Sequence, residues 1–485
     1  MRWKTRGLIL SVIGAVVCLA VCGSAFAQAG ITTSVGTLPD GATYLMEVPA
    51  NWNGVLFLYS HGYVVPGSKN PAQDVGDPAT RFFMLASGFA LAGSSYKGTG
   101  WAVQEALPDQ IAVLDVFEKA FGKPARTIAW GHSLGGMITA GLIQRYPERF
   151  DAALPMCGVL SGGVATWNTA LDAAFAFKNL VAPGSGLQLV NITNPVVNLQ
   201  IAEAANLAAQ ATPQGRARAA LVAALGDTPG WFTPLSPEPA ATDLAAQEAN
   251  QFLWAEQVDF PFAFALRAEL EARAGGNPSW NTGVDYQRQF ERSANREEVR
   301  ALYQAAGLDL EADLKFLNES PRIEANPPST AYLIRNIIYN GEIHVPVLTL
   351  HTTGDGLVVV ENESAYKDVV EDEANGRFLR RTFVSRAGHC AFTPAETIAA
   401  VQTLLERLET GRWPDVSAVN LNTAAAGLGP AFNIFANAQG MIIPTAPAFL
   451  DFKPARYLRP FDAETEECKF GLLCRDEFSR FDDRH

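Results

Sequence analysis

The stretch Gly131-His132-Ser133-Leu134-Gly135-Gly136 constrains this chain most, because of what flanks it. A short apolar run, residues 127–130, precedes it, and residues 137–146 carry one apolar face at helical spacing. A serine placed where a strand turns abruptly into a helix sits in strained backbone, and such a turn closes only around small neighbours. Gly131 and Gly135 supply that smallness. The turn would lift the Ser133 hydroxyl above the sheet edge, beside free N–H groups and the positive end of a helix dipole. The expectation is a nucleophilic serine. The bland alternative is a glycine-rich turn with an idle hydroxyl.

Strands and helices alternate around this turn. Residues 44–48, 55–59, 89–93 and 150–156 read as further strands, and a helix is expected from Pro108 to Phe121. The pattern resumes with a strand at 344–351, a helix at 361–373 and a strand at 378–385. Most of these strands are apolar throughout, which implies an α/β fold with a mostly parallel sheet covered by helices on both faces. Residues 161–340 break the pattern. They are Ala-rich and helical, with aromatics such as Trp167, Phe252, Phe262 and Trp280, and no comparable strand. We read them as a helical cap inserted between 28–160 and 341–410, the two parts of one core. Residues 411–485 read as a C-terminal extension that wraps the core without a chemical role.

The chain starts with Arg2, Lys4 and Arg6, an apolar run over 7–21 and the small-x-small site Ala25-Phe26-Ala27. That order predicts a signal peptide over 1–27, and a secreted or periplasmic protein with no stable membrane span after cleavage. A membrane anchor is the alternative, for which the apolar run is short. The net charge of −13 argues against nucleic acid and anionic membranes as partners. Cys157, Cys390, Cys468 and Cys474 follow the signal segment, and an even count after export suggests disulfides with three possible connectivities. Their contexts favour Cys157–Cys390 and Cys468–Cys474. No Cys/His cluster has zinc spacing and no glycine loop suits a phosphate, so neither metal nor cofactor is expected.

A serine hydroxyl needs an adjacent base to act as nucleophile. His389 directly follows the last core strand and precedes Thr393-Pro394-Ala395-Glu396, a capping box, which places it in a short anchored loop at the right sheet edge. His132 is locked in the turn, His351 sits in an apolar strand, His344 is at the wrong end of that strand, and His61 adjoins Gly62 in another loop. Asp355 lies one loop over from His389, where it could hold the imidazole Nδ1–H; an ordinary Asp-Gly turn is the alternative. The amides of Leu134 and Tyr63 are the expected donors to an oxyanion. Tyr96 and Trp101 either face the same pocket as substrate-binding residues or pack the core.

Gly-His-Ser-Leu-Gly-Gly, Thr-Gly-Asp-Gly and Gly-His-Cys, in the order Ser, Asp, His, resemble the α/β-hydrolase fold family over about residues 40–160 and 340–410. The resemblance implies a serine hydrolase. Cys390 beside the histidine is similar to tannase and feruloyl-esterase-like enzymes, although here His132 and not a cysteine precedes Ser133. The expected activity is cleavage of carboxylic esters, small or polymeric, through an acyl-enzyme. One rival is a serine aminopeptidase of the same fold, with Glu269, Glu271 or Glu291 holding an amino terminus. The other is a non-catalytic binding protein on this scaffold.

Overall fold

The structure, a computed structural model, describes residues 30–436 and 440–461. Eight strands carry the core: β1 (Ile31–Thr37), β2 (Thr43–Pro49), β3 (Val55–Ser60), β4 (Ala90–Ser94), β5 (Arg126–His132), β6 (Ala152–Met156), β7 (Val347–Gly354) and β8 (Leu379–Ala387). Their spatial order is β1-β2-β4-β3-β5-β6-β7-β8, closed by a short strand, Phe449–Leu450, antiparallel to β8. The six strands from β4 to β8 run parallel, while β1 and β2 are antiparallel additions at one edge.

The apolar runs follow from cover on both faces. Along β3, Leu56 and Leu58 join one hydrophobic core while Phe57 and Tyr59 join the other, so no position is left for water. The helices α2 (Val103–Phe121) and α3 (Leu134–Arg145) pack on the first face. α1 (Pro78–Ala86) and the helix Pro394–Thr410 pack on the second. Two local expectations are corrected. α2 begins at Val103, not Pro108; the proline sits inside the helix at the cost of one ladder hydrogen bond. β7 starts at Val347, three residues late, after Pro346. Strands β1 and Phe449–Leu450 give no apolar run in the sequence, because β1, an edge strand, has only half-buried and exposed residues and Phe449–Leu450 is two residues long.

Between β6 and β7, helices from α4 (Gly162–Leu180) to Pro327–Asn336 form the cap, with no strand among them. It has a core of its own around Phe175, Phe177, Leu221, Tyr286 and Tyr303, so it is a packed body and not a loose cover. One cap helix is unusual: Leu244–Trp254 continues through two π-helical stretches, Ala255–Asp259 and Pro261–Leu266, into Arg267–Ala274. The C-terminal extension crosses the sheet edge and reaches the cap, where Arg459 pairs with both oxygens of buried Asp172 at 3.0 Å. The expected signal segment, residues 1–27, and the expected Cys468–Cys474 pair lie outside the described residues. Among the described residues no helix is long and apolar enough to cross a membrane.

Candidate active site

Ser133 stands between β5 and α3 with φ 59° and ψ −123°, backbone that a non-glycine residue adopts only under constraint. The constraint is steric. A Cβ on Gly131 would lie 2.4 Å from the Ser60 carbonyl oxygen, and one on Gly135 would lie 1.9 Å from it. The turn is therefore pressed against β3, and only hydrogen fits at those two positions. Gly62 approaches from the other side, where an added Cβ would meet the Ser133 Cβ at 3.3 Å. This closeness brings the loop of Tyr63 over Ser133.

His389 follows β8 and is fixed at both ends of its loop. Thr352 Oγ1 donates to the Gly388 carbonyl at 2.8 Å. The expected capping box is present, with Thr393 Oγ1 accepting from the Glu396 amide at 3.2 Å and Glu396 accepting from the Thr393 amide at 2.7 Å. Arg386 holds the same Glu396 through two contacts, at 2.7 and 3.0 Å. The imidazole donates from Nδ1 to Asp355 Oδ2 at 2.7 Å, and Ser133 Oγ donates to Nε2 at 2.7 Å. Asp355 Oδ1 accepts the amides of Leu357 and Val358, each at 3.0 Å. Three groups named from sequence, 256 and 34 residues apart along the chain, thus form one hydrogen-bonded line. Such a line can carry a proton from the serine to the imidazole while the carboxylate fixes its tautomer.

Behind Asp355 lies a group that sequence reasoning set aside. His351 is fully buried, with Nε2 2.8 Å from the Val358 carbonyl and Nδ1 3.1 Å from Glu363 Oε1. A carbonyl can only accept, so Nε2 carries a proton, and a carboxylate on the other side asks the same of Nδ1. Nε2 also lies 3.7 Å from Asp355 Oδ2. Burial alone would hold this histidine neutral, but Asp355 and Glu363 overcome it and push His351 up to about 10. Asp355 in turn is held well below the usual carboxylate range: burial opposes this, but the charges and hydrogen bonds of His389 and His351 outweigh it. The sequence signal was present, since a histidine inside a fully buried apolar strand must find partners. His132 is the contrast. It is half-buried, with the Tyr59 hydroxyl 3.0 Å from Nδ1, and the loss of solvent around its ring, with His389 adding, lowers it to about 4.

A raised histidine contributes stability that is complete below its unfolded value, near 6.5, and is lost as pH rises through about 10. Melting temperature should therefore fall across that window more steeply in the native protein than in His351→Gln. Parallel declines in the two proteins would show that His351 is not charged.

Cys157, at the end of β6, is bonded to Cys390 beside the histidine. Leu134 is the first residue of α3, where its amide has no helical partner. The Tyr63 ring faces the cavity above Ser133 and meets Phe262 edge-on at 5.1 Å. Trp101 lines the same cavity. Tyr96 does not: it is buried beneath the loop, stacked on His61 at 3.9 Å, with its hydroxyl donated to the His61 carbonyl. The cavity, of about 170 Å³, runs from Ser133 into the cap. Tyr457 completes part of its wall, so the extension, expected to lack a chemical role, reaches the site.

Residues 89–178, which include the Ser133 turn, match the Prolyl oligopeptidase family. Over 425 residues the chain is 32% identical to the o-phthalyl amidase of Xanthobacter agilis, covering 81% of this chain and 91% of the amidase. The chain belongs to that amidase's family of α/β-hydrolases. It is a serine hydrolase. Two solved structures from Aspergillus oryzae, an esterase and feruloyl esterase B, align with TM-scores of 0.42 and 0.40. They are 13% and 12% identical and cover 79% of this chain, and 80% and 82% of their own. Likeness this remote says nothing about substrate.

Proposed function

We propose that this α/β-hydrolase is an exported enzyme that cleaves carboxylic esters and amides through an acyl-enzyme on Ser133. Ser133 Oγ attacks the acyl carbon while His389 Nε2 takes its proton, and Asp355 stabilises the imidazolium that forms. The amides of Leu134 and Tyr63 receive the developing oxyanion. His389 returns the proton to the leaving alcohol or amine, and water then repeats the sequence to free the acid. The observation that carries the reading is the line Asp355–His389–Ser133, 2.7 Å at both links, ending in the cap cavity. The amidase relative supports including amides. The aminopeptidase reading loses its recognition groups, because its three candidate glutamates are engaged elsewhere. Glu269 pairs with Arg273 at 2.7 Å, Glu271 with Arg267 at 3.0 Å, and Glu291 with Arg300 at 2.6 Å.

A fluorophosphonate should label Ser133 and leave Ser133→Ala unlabelled. An aryl ester and an anilide of the same acyl group should both be turned over, the ester faster. Labelling at another residue, or a folded protein inert to both substrates, would overturn the assignment.

A further inference from the structure

Two imidazoles face the same oxygen of Asp355. His389 Nδ1 donates to Oδ2 at 2.7 Å, and His351 Nε2 stands 3.7 Å from that atom. Oδ1 is filled by the amides of Leu357 and Val358. The reacting carboxylate oxygen is therefore shared between the imidazole that serves Ser133 and one that is sealed inside β7.

Geometry fixes the charge on His351. The Val358 carbonyl accepts from Nε2 at 2.8 Å, and Glu363 Oε1 lies 3.1 Å from Nδ1, so both nitrogens carry protons. Glu363 sits in the first turn of the helix Asn362–Asp372, whose positive end favours a carboxylate there. Thr349 Oγ1 donates to its other oxygen at 2.5 Å, and Arg381 of β8 donates to its carbonyl at 3.1 Å. The other ionisable groups around the line are uncharged in mildly acidic solution. Burial pushes Glu361 up to about 8, with Asp227 adding, and pushes Asp227 itself up to about 7. Burial also pushes Asp259 of the cap up to about 8, with Asp355 adding, and holds the Tyr366 hydroxyl far above neutrality. His132, lowered to about 4, is uncharged as well. Among the described residues, the charge that faces Asp355 from behind is thus that of His351.

A cation in that place acts in two ways. It keeps Asp355 ionised where burial alone would favour the neutral acid. It also opposes a second positive charge on the same oxygen, so an imidazolium at His389 is less favoured while the enzyme rests. Ser133 needs His389 without its extra proton, and the opposition protects that working form against acid. Charges held this close in a protein interior shift one another's titration by about one pH unit. We propose that His351 is a positioning residue whose fixed positive charge, acting through Asp355, extends hydrolysis into mildly acidic solution. The proposal rests on reading Ser133, His389 and Asp355 as the reacting line.

The test is kcat/KM against pH on an activated ester. In His351→Gln the acid limb should move upward by about one pH unit. Glu363→Gln removes the opposite charge from the other side of the ring and should not move the limb upward. An unmoved limb in His351→Gln, even with a lower plateau, would mark a merely structural histidine and overturn the proposal. The same upward shift in both variants would overturn it too. Nitrogen NMR of the histidine-labelled native enzyme needs no variant to fold: one ring should stay doubly protonated through pH 8, and loss of a proton from every ring below that pH refutes the fixed charge. Fluorophosphonate labelling of the native enzyme separates the two readings. No labelling of Ser133 removes the hydrolase reading, and labelling with an unmoved limb removes only the role of His351.

Discussion

Asp355→Asn lowers kcat by roughly 10⁴ while the protein folds as before. The geometry dictates which way the new amide points. Two backbone amides, of Leu357 and Val358, converge at 3.0 Å on Oδ1, so the asparagine carbonyl must stay there to accept them. Its NH₂ then occupies the place of Oδ2, 2.7 Å from His389 Nδ1. A donor facing Nδ1 forces the imidazole proton onto Nε2, the atom that should receive the proton of Ser133. The same NH₂ faces the buried His351 Nε2 at 3.7 Å, which adds a donor–donor clash. The measurement is kcat and kcat/KM on an activated ester alongside a denaturant melt. A variant of normal fold that keeps near-native kcat would move the acid's role to another carboxylate.

Removing the disulfide between Cys157 and Cys390 should cost both stability and activity. The bond closes a loop of 233 residues, worth about 5.5 kcal/mol of denatured-state entropy in the chain-entropy model, less any native strain. Both residues hold φ in the left-handed region, 43° and 55°, where a side chain is disfavoured unless its surroundings insist. The bond is part of what insists. It ties the end of β6 to the residue after His389, with the Cys390 sulfur 3.5 Å from His389 Nε2. The expected result for Cys157→Ala and Cys390→Ala is a similar loss of unfolding free energy, with a fall in kcat from the freed histidine loop. Two free thiols in the native protein, or variants of native stability, would refute it.

Much of the site was legible because it is local. Gly131 and Gly135 mark a turn that only hydrogen side chains permit, and an apolar run before it and a helical face after it fix which element lies on each side. In a parallel sheet covered on both faces, every strand declares itself by continuous apolarity, and the loop after each strand falls on one edge. Ser133, Asp355 and His389 follow from that rule, as does the pairing of Cys157 with Cys390. Edge strands such as β1 escaped it because they are covered on one side at most.

The cap was opaque for the opposite reason. Its helices are Ala-rich and similar in pattern, so the faces turned to the cavity depend on packing between segments far apart in sequence. Glu269, Glu271 and Glu291 looked like candidates for recognition, yet arginines take all three. His351 is the same case inside the sheet: the run of apolar neighbours predicted burial, and only the fold supplied Val358, Glu363 and Asp355 around its ring. The chain alone thus determined the reacting line, because backbone sterics and strand polarity are written residue by residue. Which charged groups surround that line was decided by tertiary packing, since a buried charge is set by its neighbours in space.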